Sequence, residues 1–137
     1  MSSAIRYFSA GGNTKMVADL VADIAGVPAE PLDTPLTGPV DLLFVGAGVY
    51  EVSLDQKVKE YLEQLDKSQV GAVAIFSTSG GDDVTEEMNA IVQGKGIPVK
   101  GNLLLIKIGI KNFGIGYEFE LAKKDIEDIR EFVKSAL

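Results

Sequence analysis

Residues 4–26 read AIRYFSAGGNTKMVADLVADIAG, and three kinds of local chemistry follow one another in them. Residues 4–8 are a short run rich in apolar, β-branched and aromatic side chains, which predicts a strand. Residues 9–14, SAGGNT, are small, polar or backbone-permissive and predict a loop. Met16, Val17, Leu20, Val21 and Ile24 then recur at helical spacing, giving one apolar stripe. Gly26 stands where a helix C-cap is expected, with Pro28 just beyond it. A strand, a glycine loop and a helix this early in the chain predict the first half of a parallel α/β unit.

The rest of the sequence repeats the alternation. A short strand is expected over residues 29–32, and TPLTGPV (34–40) is a turn-rich connection. DLLFV (41–45) is nearly all apolar, as a central strand covered on both faces must be. GAGVYEVS (46–53) reads as a loop. Residues 54–65 read as a helix with Val58, Tyr61, Leu62 and Leu65 on one side. VGAVAIF (70–76) is a second buried strand, running into STSGGDD (77–83). A helix over 84–93, a strand over 102–110 and a helix over 121–137 complete the order. The last helix carries Leu121, Ile126, Ile129, Phe132 and Val133 on its apolar face. Alternating strands and helices predict a mostly parallel sheet with helices on both faces, in one domain over residues 1–137.

Composition removes whole classes of chemistry. Among 137 residues there is neither cysteine nor histidine. Disulfides, thiolate metal sites and cysteine nucleophiles are therefore excluded, as is a Ser-His-Asp triad. Demanding chemistry would have to be carried by a bound cofactor. A net charge of −7 argues against wrapping nucleic acid, which needs a basic surface. No secretory pattern and no apolar run of about 18 residues is present, so the expectation is a cytoplasmic protein without a membrane span.

In a parallel sheet the carboxyl ends of all strands share one edge, and ligands bind there where strand order reverses. The polar segments 9–14, 46–53 and 77–83 should all surround that crevice. The first delivers backbone N–H groups to a helix start, where unpaired donors and a partial positive charge suit a phosphate. Gly11 and Gly12 let the backbone approach closely, while Ser9, Asn13 and Thr14 add polar donors. A second reading fits the same residues: Asn13 or Thr14 as a plain N-cap, with the glycines making a tight turn. Neither G-x-x-x-x-G-K-[ST] nor G-x-G-x-x-G is present. A nucleoside triphosphatase is not expected.

The segment SAGGNT resembles the flavodoxin phosphate loop, [ST]-x-T-G-x-T, through Ser9, Gly12, Asn13 and Thr14; the family's middle Thr is Gly11 here. DLLFVGAGVYEVS resembles the flavodoxin strand that ends in a G-[ST]-P-V-Y-like loop, and VGAVAIFSTSGG is similar to the family's fourth strand and third flavin loop. The resemblance spans the chain and implies a flavodoxin-like three-layer sandwich, a five-stranded parallel sheet in the order 2-1-3-4-5. It implies FMN as cofactor, with the phosphate on Ser9, Ala10, Gly11, Gly12, Asn13 and Thr14. Ala47, Gly48, Val49, Tyr50 and Glu51 would form the second contact, Tyr50 stacking on the isoalloxazine. Ser77, Thr78, Ser79, Gly80, Gly81 and Asp82 would form the third, which lacks the aromatic residue that many flavodoxins have there. Glu51, Asp82 and Asp83 would make the rim acidic. The function implied is electron shuttling between redox proteins, whose basic surfaces the acidic chain would attract. A small FMN-dependent reductase of a quinone, or a module that keeps the fold without flavin, fits the same residues. In GIKNFGIGYEF (109–119), Phe113 and Tyr117 are expected to pack a loop before the final helix, with covering a flavin face or marking a partner contact as the alternatives.

Overall fold

The computed structural model describes residues 2–9, 13–49, 54–79, 83–107 and 123–137. Its elements are β1 (Ser3–Phe8), α1 (Asn13–Ala25), β2 (Ala29–Pro31), β3 (Leu42–Val49), α2 (Gln56–Glu63), β4 (Val73–Ser79), α3 (Thr85–Gly94), β5 (Leu104–Lys107) and α4 (Lys123–Ala136). The strands form one five-stranded sheet in the order β2-β1-β3-β4-β5, and every neighbouring pair is parallel. Fold class, strand order and layering are those expected from the sequence.

Two apolar layers explain why the central strands carry almost no polar residues. On one face Ile5, Phe44, Ala74 and Phe76 meet Val17, Ala18 and Val21 of α1 and Ile129, Phe132 and Val133 of α4. On the other, Leu43, Val45, Val73 and Ile75 meet Val58 and Leu62 of α2 and Met88 and Val92 of α3. Successive strand residues point to opposite faces, so a strand between two helical layers must be apolar at every position. The Phe132 ring closes the first layer, meeting Phe44 and Phe76 edge-on at centroid distances of 5.8 and 6.1 Å.

Several boundaries differ from the sequence reading, each for a physical reason. The helix stripe of α1 is rotated: Met16 is exposed, and Thr14 and Ala18 are buried beside Val17 and Val21. Gly26 does end α1, at φ 77°, with its N–H donating to the Ala22 carbonyl at 2.8 Å. Strand β3 continues through Gly46, Ala47, Gly48 and Val49, which composition assigns to a loop. Likewise β4 continues through Ser77, Thr78 and Ser79. The two extensions pair with each other, Ala47 with Ser77, Gly48 with Thr78 and Val49 with Ser79, so ladder hydrogen bonds override weak strand propensity. Gly46 is required by packing, since a Cβ there would stand 2.1 Å from an edge carbon of the Phe76 ring. The remainder of the expected last strand, beyond Lys107, and Lys111, Asn112, Phe113, Tyr117 and Leu121 lie outside the described residues.

The crossover from β2 to β3 contains no helix over residues 32–41. A buried cation organises it instead. Arg6, in the middle of β1 and 7% exposed, donates from Nε to the Thr34 carbonyl at 2.8 Å and from Nη2 to the Pro35 carbonyl at 3.0 Å. Its Nη1 donates to the Ile5 carbonyl at 2.9 Å. Among the described residues no carboxylate pairs with it.

Candidate functional site

The register of the sheet brings the described ends of the three polar segments to one edge. Phe8, the last residue of β1, pairs with Ala47, and Ala47 pairs with Ser77. The tips of β1, β3 and β4 therefore lie side by side at the carboxyl edge, where strand order reverses between β1 and β3. Ser9 follows β1 directly and is half-buried, and α1 starts at Asn13 on this edge.

The helices that start on this edge differ in charge. Asp55 caps α2, its Oδ1 accepting from the Lys57 N–H at 2.8 Å. Asp83, expected as a rim acid, stands just before α3: its Oδ1 accepts from the Thr85 N–H at 2.8 Å and from the Thr85 hydroxyl at 2.6 Å. Glu86 and Glu87 add further negative charge to the first turn of α3. The first turn of α1 has no acidic residue, so its positive end is left uncompensated by carboxylates of its own. Lys15, exposed in that turn, pairs with Asp19 at 2.8 Å, and this bond raises its pKa.

The hydroxyls at the edge are unevenly satisfied. The Thr14 and Thr78 Oγ1 atoms share a hydrogen bond of 2.6 Å, with both residues buried. Thr14 is thus committed across to β4 rather than lying loose at the helix start. Ser77 is fully buried and, among the described residues, its Oγ has no hydrogen-bond partner, a state that few buried polar side chains occupy. Ala47 and Gly48 are buried beside it, and neither carries bulk above the strand tips. Ala10, Gly11, Gly12, Tyr50, Glu51, Gly80, Gly81 and Asp82 lie outside the described residues.

A cleft on the same edge adjoins the first polar segment, since Ser9 and Lys15 are among its lining residues. Its volume is about 570 Å³, and it opens between the ends of β1 and β2 and the flank of α2, with Phe8, Leu32, Asp33, Lys57 and Tyr61 among its walls. These residues come from three separated stretches of sequence. Burial raises the pKa of the Tyr61 phenol above its ordinary value, opposed by the nearby Arg6 charge. Among the described residues no group of acidic side chains is arranged to hold a metal ion, and no helix is long and apolar enough to cross a membrane.

No protein-family model and no curated protein matches the sequence. The architecture does match solved structures. A flavodoxin from the domain Archaea superposes with a TM-score of 0.76 at 16% identity, over 99% of this chain and 96% of that one. Flavodoxin 2 from Bacillus cereus superposes at 0.67 with 18% identity, over 98% and 97%. The rubredoxin oxygen:oxidoreductase of Desulfovibrio gigas superposes at 0.73 with 14% identity, over 98% of this chain but 34% of that one. The fold is the flavodoxin-like fold, and the resemblance read from the sequence holds at that level.

Proposed function

We propose that the chain binds FMN at the carboxyl edge of the sheet and carries electrons between redox proteins. The observation that carries this reading is the convergence of the acid-free start of α1 with the adjoining tips of β3 and β4, joined by the Thr14–Thr78 hydrogen bond. The residues suit such a cofactor. A phosphate matches a helix start that has unpaired N–H donors and no carboxylate of its own. The small residues Ala47 and Gly48 leave room for a flat ring above the strand tips. The orphaned Ser77 hydroxyl supplies a hydrogen-bonding group beneath them.

In this reading Ser9, Ala10, Gly11, Gly12, Asn13 and Thr14 hold the phosphate through neutral donors. Ala47, Gly48, Val49, Tyr50 and Glu51 flank the ring on one side, Tyr50 by stacking, which yields a large contact at little rotamer loss. Ser77, Thr78, Ser79, Gly80, Gly81 and Asp82 border it on the other. Bound FMN supplies one- and two-electron redox chemistry; the chain's task is to hold and orient it and keep its phosphate tethered. The acidic charge of the chain favours partners with basic docking surfaces, whose association it would accelerate most at low salt.

The test is direct. Purified protein should absorb in the flavin region and release FMN on denaturation, and reduction should proceed in two separate one-electron steps. Protein that takes up no FMN from solution defeats the proposal. Rapid turnover of NADH with a quinone, without resolved one-electron steps, would replace the carrier by a reductase.

A further inference from the structure

The cleft at the end of β2 is continuous with the first polar segment. Ser9 and Lys15, on either side of residues 10–14, both line it, so it opens onto the start of α1. Charge around the cleft therefore acts on whatever the start of α1 holds.

Two exposed cations stand at this mouth. The Lys57 ammonium lies 5.6 Å from the centroid of the Phe8 ring, and Phe8 immediately precedes Ser9. The ring face holds the ammonium near the loop without neutralising it. Among the described residues Lys57 makes no ion pair. Lys15 pairs with Asp19, one turn further along α1 and also exposed, a kind of pair that contributes little.

Asp33 and Glu60 are exposed and line the same cleft, so the lysines alone would leave it near neutral. A buried charge decides the sign. Arg6 stands two residues before Phe8 in β1 and so points to the same face of the sheet. It is 7% exposed and bonds carbonyls, with no carboxylate against it among the described residues. Its charge is screened far less than the charges at the surface. The field reaches the cleft wall: burial raises the pKa of Tyr61, a lining residue, and the Arg6 charge opposes that rise.

We propose that the cleft is the charged outer wall of the phosphate site. Lys57 and Lys15, backed by Arg6, attract the FMN phosphate, which residues 9–14 hold through neutral donors. This assignment rests on the flavin reading and deepens it. Phosphorylated flavin is selected over riboflavin by charge from β1, α1 and α2, not by the loop alone.

The experiment titrates the full chain, freed of any flavin it carries, with FMN and with riboflavin, following flavin fluorescence. Lys57→Met keeps a contact with the Phe8 ring and removes the charge. It should weaken FMN about fivefold, the weight of one partly exposed ion pair, and leave riboflavin unchanged. Lys15→Met should act in the same sense, and Lys57→Arg should bind both flavins like the native chain. Asp33→Asn, which removes a negative charge from the cleft, should tighten FMN without affecting riboflavin. Added salt should weaken FMN in the native chain, and less so in Lys57→Met. An FMN affinity unchanged in Lys57→Met, or equal losses for the two flavins, overturns the proposal and spares the flavin reading. A chain that takes up neither flavin defeats that reading, and this assignment with it.

Discussion

The Thr14 and Thr78 hydroxyls lie 2.6 Å apart, both residues buried, and tie the first turn of α1 to the tip of β4 across 64 positions of sequence. Replacing Thr78 by valine keeps the shape and leaves the Thr14 hydroxyl unpaired in an apolar layer. Such a group destabilises by about 1–3 kcal/mol. Denaturant unfolding should show that loss, with Thr78→Ser restoring most of it. If α1 receives a phosphate, the same valine should weaken FMN about tenfold and leave riboflavin, which has no phosphate, unaffected. Equal losses for the two flavins would mean that the bond serves stability alone.

Gly46 and Phe76 are neighbours across the β3–β4 ladder, and the ring occupies the space a side chain at 46 would need. Phe76 is fully buried against Phe132, so the ring has nowhere to retreat. Gly46→Ala should therefore destabilise by about 1–3 kcal/mol, the range for overpacked cores. Adding Phe76→Leu should make the two effects non-additive, because the smaller side chain clears the clash. Strict additivity in that double-mutant cycle would show that the two positions do not compete for the same space.

These two pairs also show what the sequence discloses and what it withholds. Layering was legible because 42–45 and 70–76 carry no polar side chain, a pattern that a doubly covered strand requires, while the strand order was implied by the resemblance to flavodoxins. The ends of β3 and β4 were not, because Gly46, Gly48 and Ser77–Ser79 are turn-forming types. Only their partnership across the ladder keeps them extended. The described ends of the polar segments lie at one edge, as expected. That Thr14 is bonded to Thr78 and that Asp33 lines a cleft depend on contacts between distant stretches. No local pattern encodes those.

Arg6 bonds three carbonyls, two of them in the helix-free crossover at Thr34 and Pro35. Hydrogen bonds involving a charged group contribute roughly 1.5–3 kcal/mol each, net of exchange with water, and are not additive on one side chain. Arg6→Met should cost about 3 kcal/mol and raise hydrogen exchange selectively in residues 32–41. Arg6→Lys should recover little, since an ammonium lacks the planar fork that reaches several acceptors at once. Exchange that rises uniformly over the chain would assign Arg6 a general packing role instead.

Two perturbed groups set opposite ends of the pH–stability curve. The Ser68 N–H donates to Asp66 Oδ1 at 2.9 Å. That bond, then the Ser68 side chain, holds the Asp66 carboxyl below its ordinary range, with Lys95 and Lys67 adding less. A depressed carboxyl stabilises fully above its unfolded pKa, near 4, and the contribution is lost as pH falls through the folded value. Tyr61 behaves in the reverse sense. Burial raises its pKa above the ordinary value, so its contribution is complete below about pH 10 and disappears as pH rises through the folded pKa. Asp66→Asn should therefore shallow the acid limb below about pH 4 and leave the alkaline limb alone. Tyr61→Phe should flatten only the alkaline limb above about pH 10. Unfolding midpoints measured across both limbs decide the matter: an acid limb unchanged in Asp66→Asn, or an alkaline limb unchanged in Tyr61→Phe, would remove that group from the pH response.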